Sequence, residues 1–216
     1  MPVKSGLMQR YDTFVFDWDG TLNRMDTILK IKNIGKKVLG IYGRTSKSDV
    51  KAVGAAGANI KGRLREEEIG DRLFSRLVDL KMLVSRVKLQ EGTVDLLKQL
   101  KKGKKAVAML TDADSYIVLK GVSYHNIEDY FDIIVSTRMF KAVKPSPLGL
   151  VEVLRLLKAK KSRTVYIGDT LLDYEVAKKV GVDFCAVASG VDSYETFRKA
   201  GVMKVFRTVE EIRRTL

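Results

Sequence analysis

The sequence predicts an α/β protein, a parallel sheet flanked by helices and interrupted once by a helical insertion. Three observations carry that expectation. Five short runs are dense in Val, Ile, Phe and Ala without alternating in polarity, the pattern of strands covered on both faces. Amphipathic helical stretches alternate with them from about residue 89 onward, as the right-handed crossovers of a parallel sheet require. Finally, 90 residues separate Thr21 from Thr111, whereas a strand-helix-strand unit needs only about 30.

The expected strands are residues 12–17, 105–111, 131–136, 163–169 and 183–189, with a weaker sixth at 203–206. The helical stretch after Glu91 carries Val94, Leu96, Leu97 and Leu100 on one side and stops at Gly103, a residue suited to the left-handed position after a helix. A second helix is signalled by Ser146 as N-cap, with Pro147 at the first helical position. Another ends at Gly181, and near the end of the sequence Thr208 and Glu211 form a candidate capping box.

Residues 24–88 break the alternation and read as helical. Ile28, Leu29, Ile31, Ile34, Val38 and Ile41 mark one apolar stripe, and Ile69, Leu73, Phe74, Leu77, Leu80, Leu83, Val84 and Val87 mark another. The glycines between them have neither the preceding strand nor the spacing of a dinucleotide-binding fingerprint. The expected organisation is therefore an α/β core from residues 1–23 and 89–216, with 24–88 inserted.

Composition narrows the classes. At 216 residues and 45% hydrophobic content the chain buries a sizeable core, and no apolar run is long enough to cross a bilayer. The first residues lack the continuous apolar stretch of a signal peptide, so a cytoplasmic location is expected, with no membrane partner. The single cysteine, Cys185, lies in an apolar run and reads as a buried structural thiol. The net charge of +14 is uneven: residues 24–88 hold 16 lysines and arginines against 7 acidic residues. That surplus suits either a solvated lysine-rich helical surface or the attraction of an anionic ligand.

The candidate chemistry lies where the apolar runs end. In an open parallel sheet, ligands bind beyond the carboxyl ends of the strands. Asp17 and Asp19 sit at one such end, Thr111 at another, Lys144 on the connection leaving 131–136, and Asp169 and Asp173 after 163–169. Four carboxylates gathered there repel one another unless a cation neutralises them, and oxygen ligands with room for water and phosphate suit Mg2+. Lys144 and Thr111 supply the complementary half, a point charge and a hydroxyl donor for the oxygens of a transferring phosphoryl group. A carboxylate can attack phosphorus, and a second one two residues on can exchange protons with the leaving group and with water.

Together, "DWDGT", Thr111, Lys144 and "GDTLLD" resemble the four ordered motifs of the haloacid dehalogenase superfamily on its phosphatase side, over residues 12 to about 190. The resemblance implies a three-layer Rossmann-like core with a type 1 helical cap at 24–88, similar to the phosphoglycolate phosphatase-like branch. It implies Asp17 as nucleophile, Asp19 as general acid/base, and Thr111 and Lys144 as phosphate-binding residues. Mg2+ would be held by Asp17, Asp169 and the backbone carbonyl of Asp19, with Asp173 completing the metal shell or orienting Lys144. The implied activity is hydrolysis of a small phosphomonoester, with a small phosphorylated metabolite as the partner. A phosphomutase and a phosphonatase with a cap lysine are alternatives within the superfamily, whereas Asp19 argues against a dehalogenase. One departure is Asp112, where the family often has Asn; it is expected to point away from the phosphate.

Each feature alone has a plainer reading. Asp19 and Gly20 could form a hairpin turn, Thr111 and Asp112 a helix cap, and Asp169 and Asp173 a helix N-terminus. Trp18 is expected to pack in the core, and His125 to lie at the surface or its boundary. A basic nucleic-acid-binding protein is the reading from another class. The sequence lacks the aromatic-rich strands and reading motifs it requires, so nucleic acid is not the expected partner. No signal for an oligomeric state is present.

Overall fold

The computed structural model describes residues 6–24, 88–113, 115–140 and 142–216. The helical cap expected at 24–88 lies outside the described residues, except Arg24 and Lys88 at its ends. The chain divides into two units, residues 1–25 with 87–216, and residues 26–86. The sheet and all described helices belong to the first unit.

Six parallel strands form one sheet: β1 (Thr13–Phe16), β2 (Ala106–Thr111), β3 (Ile133–Ser136), β4 (Thr164–Gly168), β5 (Asp183–Val187) and β6 (Lys204–Phe206). Their order is β3-β2-β1-β4-β5-β6. All six expected strands are present, trimmed by a residue or two at their ends. β1 and β4 are buried at every position, consistent with their unbroken apolar runs. Thr13 pairs with Ala106 on one side and with Thr164 on the other, so β1 lies at the centre. The order reverses between β1 and β4, the switch point at which open α/β sheets bind their ligands.

Described helices cover the sheet: α1 (Leu7–Arg10), α2 (Thr93–Lys102), α3 (Ser115–Tyr124), α4 (Leu148–Leu156), α5 (Leu171–Val180), α6 (Tyr194–Lys199) and α7 (Val209–Arg213). On one face Val15, Leu110 and Tyr166 of the sheet pack with Leu150 and Val153 of α4, Val176 of α5 and Phe197 of α6. Each side chain of this size contributes about 1.5–3 kcal/mol on burial. Trp18 is buried as expected. A Cβ on Gly121 of α3 would lie 2.9 Å from its indole, so glycine permits that contact. Cys185 is buried in β5, and burial pushes its thiol up to about 12.

The helix ends depart from expectation in three places. Gly103 has φ −77, and it is Lys104, at φ 54, that takes the left-handed position. Lys104 and Lys105 N–H donate to the carbonyls of Lys101 and Leu100, closing a Schellman motif one residue later than predicted. Glycine at 103 instead makes room for Met8, whose methyl would lie 1.8 Å from an added Cβ. Helix α4 begins at Leu148, and Ser146 Oγ accepts only a long 3.5 Å bond from its N–H. Thr208 caps α7 as predicted, but Glu211 reaches back to the N–H of Arg207 rather than that of Thr208.

Candidate active site

The first turn after β1 is built by Gly20 and Thr21. Asp17 N–H still donates to Ile167 O, so the sheet ladder runs up to the carboxylate itself. The chain then folds back: Leu22 and Asn23 N–H both donate to Trp18 O, and Gly20 N–H donates to Asn23 O at 2.8 Å. Gly20 has φ +84, and a Cβ there would come within 2.2 Å of Asp169 Oδ2, so both backbone conformation and space demand glycine. Thr21 Oγ1 donates to Asp169 Oδ1 at 3.2 Å. Asp19 stands half-buried on this turn.

Asp169 follows β4, on the other side of the switch point, and is wholly buried. Its Oδ2 accepts the Val191 N–H at 2.8 Å, and a Cβ on Gly190 would lie 1.9 Å from that oxygen. The loop carrying these residues is fixed in turn by Asp192, whose carboxylate accepts the Leu171 N–H and whose own N–H donates to Asp169 O.

Asp173 lies in the first turn of α5. It forms a reciprocal capping box with Thr170, whose hydroxyl donates to Asp173 Oδ2 at 2.6 Å and accepts the Asp173 N–H. Its Oδ1 accepts from Tyr166 OH at 2.6 Å and contacts Lys144 Nζ at 2.7 Å. Lys144 Nζ also donates to Asp17 Oδ1 at 2.5 Å. Asp17 Oδ2 makes no hydrogen bond among the described residues. Thr111 ends β2, next to β1; its hydroxyl oxygen accepts the Ala113 N–H, which leaves the hydroxyl proton to donate elsewhere.

Asp17, Asp169 and Asp173 offer oxygens that lie within 4.8 Å of one another, all buried. Burial pushes the Asp17 carboxyl well above the usual carboxylate range; Lys144 opposes the shift, and the Asp173 and Asp169 charges add to it. Asp169 is pushed up to about 6, chiefly by burial, although the Val191 N–H pulls it back. Burial alone would lower Lys144, but the adjacent Asp17, Tyr166 and Asp173 outweigh it and keep the ammonium charged. The all-oxygen donor set, whose mutual repulsion one lysine relieves only in part, fits a hard divalent cation.

Of the residues predicted from sequence, Asp17, Lys144, Asp169 and Asp173 are brought into one cluster, with Asp19 and Thr111 on the flanking turn and strand end. Sequence reasoning assigned no role to Thr21, Tyr166, Gly190 or the Val191 N–H. The "GT" behind the aspartate pair was the available signal for Thr21. The contacts of the 189–192 loop depend on which strands become neighbours, and that of Tyr166 on how α5 folds back from the end of β4.

An open parallel sheet with buried acids and a lysine at its switch point defines the class: an α/β protein with a candidate active site at the carboxyl ends of its strands. More particularly, the chain belongs to the haloacid dehalogenase-like hydrolase family, whose model matches residues 14–187. It is 25% identical to pyrophosphatase PpaX of Halalkalibacterium halodurans, over 93% of this chain and 94% of that protein. It is 24% identical to phosphoglycolate phosphatase of Rhodobacter capsulatus, over 82% and 84%. A solved structure from Bacteroides fragilis described as a haloacid dehalogenase-like hydrolase superposes with a TM-score of 0.73 at 26% identity, covering 94% of this chain and 99% of that one. Among the described residues no helix is long and apolar enough to cross a membrane.

Proposed function

We propose that this hydrolase is a magnesium-dependent phosphatase that cleaves a small phosphate ester or anhydride through a phosphoaspartate on Asp17. The observation that carries the reading is the state of Asp17: one carboxylate oxygen is held by Lys144, and the other has no hydrogen bond among the described residues. That is the condition of a positioned nucleophile. Asp17 Oδ2 attacks phosphorus while Asp19 gives a proton to the departing oxygen. Asp19 then takes a proton from water, which attacks the same phosphorus, frees phosphate and restores the Asp17 carboxylate. Thr111 and Lys144 hold the phosphoryl oxygens.

Asp17, Asp169 and the Asp19 backbone carbonyl are the residues that would hold the cation. When bound, Mg2+ supplies positive charge that offsets the buried carboxylates and the phosphate. Of its two expected roles we assign Asp173 the second. Its oxygens are already taken by Lys144, Tyr166 and Thr170, so it orients the lysine and is left little capacity to ligate.

The relatives named as a pyrophosphatase and a phosphoglycolate phosphatase support small phosphorylated metabolites as the substrate class. Nothing among the described residues favours a phosphomutase, a phosphonatase or a nucleic-acid binder. The test is a panel of phosphorylated metabolites, inorganic pyrophosphate and phosphoglycolate included, assayed with Mg2+ and with a chelator. Phosphate release that needs the metal and vanishes in Asp17→Asn, with an unchanged circular dichroism spectrum, is expected. Full-rate turnover by that variant, or none by the wild type on any member, would overturn the reading.

A further inference from the structure

Asp112 is an acid placed beside a site for anions, where its charge works against phosphate binding. The structure shows what it holds. Thr111 pairs with Ser136 across β2 and β3, so the two chain segments leave the sheet side by side. Beyond that pair they are tied repeatedly. Ser136 Oγ donates to Ala113 O at 2.7 Å, and Arg138 Nε donates to Asp112 O at 2.9 Å. Thr137 Oγ1 donates to Asp112 Oδ1 at 2.5 Å. The last tie reaches furthest: the backbone N–H of Lys144 donates to both Asp112 carboxylate oxygens, at 3.2 Å each.

We propose that Asp112 is a positioning residue for this phosphatase, fixing the Lys144 backbone, and with it the ammonium, relative to Thr111. Two groups that must grip the same phosphoryl oxygens come from chain segments 33 residues apart in sequence. One carboxylate sets their spacing by hydrogen-bonding the segment that carries the second. An acceptor-only side chain suits the task, because the donors it meets are a hydroxyl and a backbone N–H. Its charge is engaged by those donors, which strengthens the bonds.

The inference rests on the phosphatase reading, and its test separates the two. Asp112→Ala, Asp112→Asn and Thr137→Val are compared with wild type for kcat and KM on p-nitrophenyl phosphate with Mg2+, and for hydrogen exchange at the Lys144 amide without substrate. Displacing a positioned group by about an ångström costs on the order of 10²-fold in rate. Asp112→Ala is therefore expected to lose about 10²-fold in kcat with KM changed less than about threefold, and to expose the Lys144 amide to exchange at least about tenfold faster. Asp112→Asn keeps a carbonyl acceptor for that N–H and is expected to recover to within about tenfold of wild type. Thr137→Val, which loosens the carboxylate without removing it, is expected to fall between them. Wild-type exchange at Lys144 in Asp112→Ala, kcat within twofold of wild type, or no rescue by Asn would each overturn the proposal. If Asp112→Ala does not fold, Thr137→Val decides: unchanged kcat and unchanged Lys144 exchange overturn it. A wild type inactive on every phosphate ester sinks the phosphatase reading alone, because the exchange measurement still reports on Asp112.

Discussion

The Lys144 ammonium lies 2.5 Å from the Asp17 carboxylate, and both side chains are almost wholly buried. Both charges are largely removed from water, so each depends on the other. Lys144→Ala is expected to lower stability by about 3–5 kcal/mol, because it strands Asp17 and Asp173 as buried acids without their cation. Urea unfolding measures the loss. Added Mg2+ should restore part of it, and a change below about 1 kcal/mol without Mg2+ would mean that the pair is not buried in solution.

Asp169 links metal to pH. Its folded carboxyl, at about 6, sits above its ordinary value of 3.8, so the metal-free fold keeps a proton that the unfolded chain has released. That contribution is fully present below 3.8 and is lost as pH rises through about 6. A cation bound there replaces the proton. Chelation is therefore expected to lower Tm more at pH 7.5 than at pH 5, and Asp169→Asn to abolish the difference. Equal shifts at the two pH values would refute this account.

Gly190 and Gly181 make a matched pair. A Cβ on Gly190 would meet Asp169 Oδ2 at 1.9 Å, whereas around Gly181, at φ +82, nothing lies within 4 Å. Gly190→Ala is expected to displace Asp169 and weaken Mg2+ binding at least about tenfold, as outer-shell changes at metal sites typically do. Gly181→Ala pays only left-handed backbone strain, roughly 1 kcal/mol, with Mg2+ affinity and kcat unchanged. Titration calorimetry and thermal melts read both.

Tyr166→Phe removes the hydroxyl donor to Asp173 Oδ1 while leaving the ring in the core. A hydrogen bond to a charged acceptor contributes about 1.5–3 kcal/mol, and a loss of that size is expected in urea titrations. No measurable loss would show that Lys144 and Thr170 satisfy Asp173 by themselves.

The sheet was legible because burial leaves a local trace, a dense apolar run, in five of its strands; β6, partly exposed throughout, left the weaker one. The acids, Thr111 and Lys144 at or after the ends of those runs then led to the site. What stayed hidden depends on the distant parts of the chain that become neighbours. Nothing near Asp112 in sequence announces that its carboxylate meets the N–H of Lys144, and nothing near Asp169 announces that it meets the N–H of Val191. Gly103 misled for a related reason. Glycine marks both left-handed turns and close approaches, and the methyl of Met8 that selects the second reading arrives from the far end of the core.

Cys185 sits out of solvent in β5 with its thiol far from ionisation at neutral pH. The native chain is thus a silent background for maleimide chemistry. A cysteine engineered at any surface position would be the one reactive handle, so fluorophores or spin labels could report distances without first deleting a native thiol.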